Sequence, residues 1–138
     1  MKRVEPKVSF IEELGKPFDI VNEDEFSEKI KKISPFGKIP VITDHENGQS
    51  LFESGAILIY LGEKYNKFYD LKDRYIINQW LMAQMGIIGP MIGQHHQFHH
   101  YNPGKSEFGE ERYFKITKKI VFNIFVWKNN KGWYKKMN

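Results

Sequence analysis

The 138-residue chain contains no cysteine. Disulfide bonds and a thiol nucleophile of its own are therefore excluded, and any thiol chemistry must use a sulfur supplied by a ligand. Long hydrophobic runs are missing as well. No apolar stretch reaches the roughly 20 residues of a membrane span, and "MKRVEPKVSF" lacks the hydrophobic centre of a signal peptide. A cytoplasmic protein with no membrane partner is expected. Acidic residues are absent from the final part of the sequence. Residues 113–138 hold seven lysines and no Asp or Glu, so that, with a net charge of +4, the remainder is slightly acidic. Those lysines alternate with Phe122, Phe125, Trp127, Trp133 and Tyr134. Such interleaving can serve nucleic acid or a membrane surface. The favoured reading is a solvated helix end followed by a ragged terminus, and no nucleic-acid partner is expected.

What is present fits an ordinary globular protein, with 41% hydrophobic and 28% charged residues. The length allows one domain, or a small domain with a helical appendage. Val8, Ile11 and Leu14 fall at helical spacing before Gly15, which suits a helix C-cap. "FDIV" (18–21) then predicts a strand, and "DEFSEKIKKI" (24–33) a helix with Phe26, Ile30 and Ile33 on one face. "IPVITD" and "QSLFE" are strand-like runs joined by "HENG", in which Asn47-Gly48 is a hairpin signal. "SGAILIYLGEKY" (54–65) follows as a helix. This order is an α/β layer arrangement, for which "MKRVE" is barely long enough to supply a preceding strand. From Tyr75 onward the pattern is helical throughout. Gly86, Gly89, Pro90 and Gly93 predict a kink or close backbone packing in the first long segment, and a second helix is expected over "SEFGEERYFKITKKIVFNIFVW".

Two short stretches carry the candidate chemistry. In "LFESGAILIYL", Ser54 is placed to cap a helix whose first backbone N–H groups lack partners, an arrangement that attracts a carboxylate. Glu53 beside it can hold an ammonium group. Together the two match an α-amino acid headgroup, although a capping serine next to a surface glutamate would read the same way. In "SPFGKIPVITD", Pro40 interrupts a strand-like run. A cis Ile39–Pro40 bond would aim the N–H and C=O of Ile39 away from the ladder, toward an extended peptide ligand; the alternative is a trans proline on an edge strand. The pairs His95/His99 and His96/His100 each share a helix face. No acidic residue stands at a matching position nearby, so no metal site is expected. Tyr60, Trp80 and Met85 read as core.

Taken together, "SPFGKIPVITD" followed by "LFESGAILIYLGEK" closely resembles the N-terminal, thioredoxin-like domain of the glutathione transferase family. "QWLMAQMGIIGPMIGQHHQFHHYNP" and "EERY" are similar to the bacterial Nu-class and yeast Ure2-like branch. The resemblance runs from about Lys7 to about Lys119. It implies a thioredoxin-like glutathione-binding domain over residues 1–66, its first strand missing or vestigial, and a partial all-α domain over 67–138. It also implies glutathione as the thiol cofactor, an electrophile or disulfide as second substrate, and a homodimer. Under this resemblance Pro40 is the family's cis-proline, and Ile39 contacts the cysteinyl backbone of glutathione. Glu53 and Ser54 take its γ-glutamyl end, and Arg112 reaches the same ligand. Glu25 aligns where relatives carry a glutamine near the ligand. Lys38 is placed to meet the glycyl carboxylate, or is simply a solvated lysine.

Two departures from the family pattern bear on catalysis. Relatives carry a loop of the "TPNG" kind whose Thr or Asn faces the glutathione sulfur and lowers its pKa. No Thr, Ser, Asn, Tyr or Cys precedes Lys7 here, and Ser9 lies within the predicted helix, so no catalytic residue is assigned. Beyond Lys119 the family pattern stops, where relatives continue with further helices. Three functions are therefore carried forward: glutathione-dependent transfer or disulfide reduction, non-catalytic glutathione binding or interaction, and an inactive shortened remnant.

Overall fold

The first element, α1 (Pro6–Leu14), opens on a proline, whose missing N–H costs nothing at a helix start. It stops at Gly15, whose φ of +66° suits a residue without a Cβ and whose N–H reaches Glu12 O at 2.9 Å. A computed structural model describes residues 6–21 and 27–130. The preceding strand sought in "MKRVE", the helix start with Phe26, Glu25 and the end of the basic tail all lie outside the described residues. The strand expected at Phe18–Val21 does not form. Ile20 and Val21 are exposed, and among the described residues only two other strands pair, so this segment has no ladder neighbour there to organise it.

The expected helix of residues 24–33 is described as a single turn, α2 (Glu28–Lys31). Ser27 caps it, accepting from Ile30 N at 3.3 Å. Pro35 disfavours helical geometry at Ser34, which instead turns inward and is buried. The hairpin forms as its turn signal predicts. β1 (Val41–Thr43) pairs antiparallel with β2 (Ser50–Phe52), with Val41 opposite Phe52 and Thr43 opposite Ser50. Gly48, at φ +72°, supplies the turn conformation that Asn-Gly signals. α3 (Ser54–Tyr65) follows and ends on Asn66 in the left-handed region.

The core of this part is small and sits against α3. Ile57 and Leu61 of α3 and Leu14 of α1 are buried together, with Ile42, Leu51 and Tyr60 packed around them. Gly62 lets α3 approach the following loop closely, since a Cβ there would stand 2.6 Å from the Cβ of Tyr69. Tyr69 is itself buried and donates to Asn78 Oδ1 at 2.8 Å.

The chain divides into two units, Met1–Asn78 and Gln79–Asn138, the boundary falling within α4 (Arg74–Ala83). The long glycine- and proline-containing segment is interrupted as its composition predicts. A π-helical turn (Gln84–Ile88) leads into α5 (Gly89–His96), and a second one (Gln97–Tyr101) ends it. The Gly89 N–H bonds back to Gln84 O, and a Cβ at Gly89 would stand 2.9 Å from that same oxygen. The widened turn precedes Pro90, which has no N–H to donate. α6 (Glu107–Asn130) extends beyond the expected end and packs against α5. Ser106 starts it by accepting from Gly109 N at 3.1 Å. Gly109 lies so near the Phe98 ring that a Cβ would come within 2.6 Å, while Phe98 stacks on Tyr113 at 5.4 Å between centroids. Trp80 and Trp127 meet edge to face at 4.9 Å. Among the described residues no helix is long and apolar enough to cross a membrane.

Candidate functional site

Pro40 immediately precedes β1, so its missing N–H removes nothing from the ladder. Its bond to Ile39 is cis. Carried one residue beyond Val41 and Phe52, the hairpin register sets Pro40 beside Glu53, and Ser54 begins α3 directly afterwards. The junction thus brings the proline and the helix start to one end of the hairpin. Glu53, rather than Ser54, is the N-cap: its carbonyl accepts the first intrahelical bond from Ile57 N at 3.0 Å, and its side chain makes no capping bond. The N–H groups ahead of Ile57 have no intrahelical carbonyl to meet, which makes this helix start a ready anion site.

Glu53 adopts φ +67° and ψ +117°, a conformation that costs a non-glycine residue on the order of 1–3 kcal/mol. Strand β2 on one side and α3 on the other hold it there. A groove of about 320 Å³ runs along β2, lined by Gln49, Ser50, Leu51, Phe52, Glu53 and Ala56; of the candidate site residues it takes in Glu53. Lys38, Ile39 and Glu53 are exposed and Ser54 is half-buried, so all four are accessible to a ligand. Arg112 stands apart from this group in sequence, on α6 of the second unit, exposed and over the Phe108 ring at 5.9 Å.

A polar cluster that the sequence reading missed lies at the other end of the hairpin. Asp44 accepts from the Tyr60 hydroxyl and from the Lys64 ammonium through Oδ2, and from Glu46 N at 2.9 Å through Oδ1. Lys64 also pairs with Glu46 at 2.7 Å, and Asn47 Nδ2 donates to the Tyr60 hydroxyl at 2.9 Å. The bonds from Lys64 and Tyr60 hold the Asp44 carboxyl down to about 2. Asp44, followed by Glu46, raises the Lys64 ammonium well above its ordinary value, and Asp44 together with burial raises the Tyr60 hydroxyl. Tyr60 therefore does more than fill the core. The signal was available: Tyr60 and Lys64 stand i, i+4 on α3, with a lone aspartate at the mouth of a hairpin turn.

In the second unit, His95 and His99 approach ring to ring at 4.3 Å, and His96 and His100 at 4.4 Å. Among the described residues no group of three or more His, Cys, Asp or Glu gathers as a metal-binding set. His95 Nδ1 is buried without a hydrogen-bond partner, and burial, then the charges of His99, His96 and His100, lowers its pKa. It borders an open, largely apolar groove of about 600 Å³ on α6, alongside Phe114, Val121 and Phe125. Trp80 and Met85 are half-buried.

With this geometry in hand, the comparisons are specific. Residues 8–64 match the family described as Glutathione S-transferase, N-terminal domain. The chain is 37% identical over 136 residues to the Disulfide-bond oxidoreductase YfcG of Escherichia coli K12, covering 90% of this chain and 63% of that protein. It is 34% identical over 102 residues to the Disulfide-bond oxidoreductase YghU of the same organism, covering 71% of this chain and 35% of that protein. Among solved structures, the glutathione transferase URE2P6 of Phanerochaete chrysosporium, in complex with oxidized glutathione, superposes with a TM-score of 0.77 at 31% identity, covering 86% of this chain and 60% of that one. A glutathione transferase of Pseudomonas putida with one glutathione disulfide bound per subunit gives 0.74 at 36% identity, covering 86% and 57%. The chain spans less than two thirds of the length of each of these relatives. A thioredoxin-like N-terminal domain leading into glutathione-transferase helices accounts for the small hairpin sheet, the α3 core and the helical second unit alike, and residues 8–64 belong to the Glutathione S-transferase N-terminal domain family.

Proposed function

We propose that the chain binds glutathione at the junction of the hairpin and α3 and uses it in glutathione-dependent transfer or disulfide reduction. The observation that carries this reading is the hairpin register, whose end pair, Val41 opposite Phe52, is followed by Pro40 on one strand and by Glu53 and the start of α3 on the other. In it, the backbone of Ile39 pairs with the cysteinyl residue of the tripeptide. The α3 start at Ser54 takes the γ-glutamyl carboxylate, and Glu53 takes the ammonium. Lys38 meets the glycyl carboxylate, and Arg112 reaches the same ligand. Residues 1–66 form the glutathione-binding domain and 67–138 part of an all-α domain. The protein acts in the cytoplasm as a homodimer.

The chemistry follows from the absence of cysteine. The glutathione thiolate attacks one sulfur of a substrate disulfide; a mixed disulfide forms and the other sulfur leaves as a thiolate that takes a proton. A second glutathione thiolate then attacks the mixed disulfide, releasing the reduced substrate and glutathione disulfide. The same thiolate can attack an electrophilic carbon or a peroxide. A second reading is glutathione binding without turnover.

Calorimetric titration with reduced glutathione on the wild type and on Ser54→Ala tests the site. Binding by the wild type that weakens or disappears in the variant is expected; equal affinity removes Ser54 from the site. Turnover of a glutathione-mixed disulfide separates the two readings, since retention on glutathione resin without turnover selects the binding protein.

A further inference from the structure

Resting on the reading of the hairpin–α3 junction as a glutathione site, we infer that Asp44 is a positioning residue for that site. With Tyr60 and Lys64 it pins the turn end of the hairpin to α3, and so sets where the opposite end presents Pro40 against Glu53.

Each strand of the hairpin is three residues long. A two-stranded hairpin of that size is marginal by itself, so its angle on α3 must come from attachments. One attachment is apolar: Ile42 and Leu51 pack on the cluster around Ile57 and Leu61. That contact is non-directional and tolerates sliding. A second is the chain itself, which runs from Phe52 through Glu53 into Ser54, and the third, Asp44 at the turn end, is directional. Its N–H donates to Gln49 O at 2.8 Å, and its carbonyl accepts from Gly48 N at 2.7 Å. Its Oδ1 holds the turn through Glu46 N, and its Oδ2 holds α3 through two side chains one turn apart. Every polar atom of Asp44 is engaged, and its side chain is only 9% exposed.

The lever is short enough to matter. Asp44 lies three residues from Val41, roughly 10 Å along a strand. A pivot of about 6° at Asp44 would therefore move the Pro40 end by about 1 Å, enough to take a 2.9 Å hydrogen bond outside its useful range. None of Asp44, Tyr60 and Lys64 lines the groove beside Glu53, so their influence on a ligand there runs through backbone placement. The groups facing the Asp44 carboxyl are Tyr60 and Lys64 from α3 and Glu46 from the turn. Lys64 balances two carboxylates at once.

Titration of the full chain with reduced glutathione at neutral pH tests this, on the wild type, Asp44→Asn, Lys64→Met, Lys64→Arg and the control variant Tyr69→Phe. Asp44→Asn and Lys64→Met are expected to weaken binding roughly 2- to 30-fold, and combining them should cost no more than the worse single change. Lys64→Arg, which keeps the charge, should restore most of the affinity. Tyr69→Phe, which removes a part-buried hydrogen bond to Asn78 outside the hairpin attachments, lowers stability and should bind as the wild type does at temperatures where it stays folded. If Asp44→Asn does not fold, Tyr60→Phe, which leaves the charge pair intact, carries the same test with a smaller expected loss. Wild-type affinity in Asp44→Asn while Ser54→Ala loses binding overturns the inference and leaves the site standing. Equal weakening in Tyr69→Phe at matched folded fraction reduces Asp44 to a merely structural residue. No binding by the wild type overturns the site itself, and this inference with it.

Discussion

The two units of this chain reach order by different means. In the first, Leu14, Ile30, Ile57, Leu61 and Tyr69 are buried, and a polar clamp ties the hairpin to α3. In the second, no large hydrophobic side chain among the described residues is buried, while Ile87, Ile92, Phe114, Phe122 and Phe125 are exposed. There Gly109 of α6 lies against the Phe98 ring, and within the long segment Gly89 lies against the Gln84 carbonyl. The first unit is stabilised chiefly by area removed from water and the second by backbone closeness and ring contacts. Mutations should therefore act through different physics in each.

The largest contrast should come from deleting apolar groups. Ile57→Ala, at 1% exposure, is expected to destabilise the first unit by about 2–5 kcal/mol. Phe122→Ala, at 64% exposure, should stay within about 0.5 kcal/mol. Urea unfolding followed by hydrogen exchange resolves the two units, and similar losses at both sites would dissolve the comparison. Next come the glycines. A methyl at Gly62 meets a Cβ rooted in the Tyr69 backbone, whereas one at Gly109 meets a ring that can swing away from Tyr113. Gly62→Ala should cost about 1–3 kcal/mol, and Gly109→Ala less. Phe98→Leu should rescue the latter, and thermal melts of the single and double variants check it. Smaller still is Glu53→Gly, which relieves the positive φ. It is expected to hold or raise stability by up to about 1 kcal/mol while weakening glutathione binding, and a calorimetric pair of unfolding and titration would reveal a variant that loses stability instead.

Acid should separate the units by window. His95 is held neutral by burial, with a folded pKa below its ordinary 6.5. Its penalty begins as pH falls past 6.5, because the unfolded chain takes up the proton first. The Asp44 carboxyl sits near 2, against 3.8 in the unfolded chain. Its contribution is fully present above about pH 4 and is lost as pH falls through about 2. The tryptophans Trp80, Trp127 and Trp133 all lie after Asn78. Tryptophan fluorescence should therefore report a loss of stability in the second unit as pH falls past 6.5, before hydrogen exchange detects any in the hairpin. Simultaneous loss would contradict the assignment of these two groups.

Much of the fold was legible because its signals are local. Gly15 as a helix stop, Asn47-Gly48 as a hairpin turn, and the apolar spacing of Ser54–Tyr65 each act within a few residues, and each appears as expected. The interruption of the long helix was legible from Gly86 to Gly93, though not its π-helical form, which depends on how Gln84 and Gly89 bond. The strand at Phe18–Val21 was misread because alternating apolar residues make a strand only where a neighbour offers a ladder. Within the described residues 27–33 the helix is shorter than expected, because Ser27 and Pro35 outweigh the apolar spacing between them. At the candidate site, the residue types were legible and one role was not. The cap fell on Glu53, because a residue at φ +67° turns the chain from strand into helix one position earlier.

The sequence by itself determined the local alphabet of this protein: which stretches coil, where the hairpin turns, which family the motifs of residues 34–65 resemble, and that any reacting sulfur must arrive with a ligand. Only the tertiary structure decided which distant residues meet. The choice of cis at Ile39–Pro40, the register that brings Pro40 to Glu53, the clamp of Tyr60 and Lys64 on Asp44, and the wedge of Phe98 against Gly109 are all of that kind. Propensity and capping act over one or two turns of chain. The pairing of groups far apart in sequence is set by how whole elements pack, and no single segment carries that information.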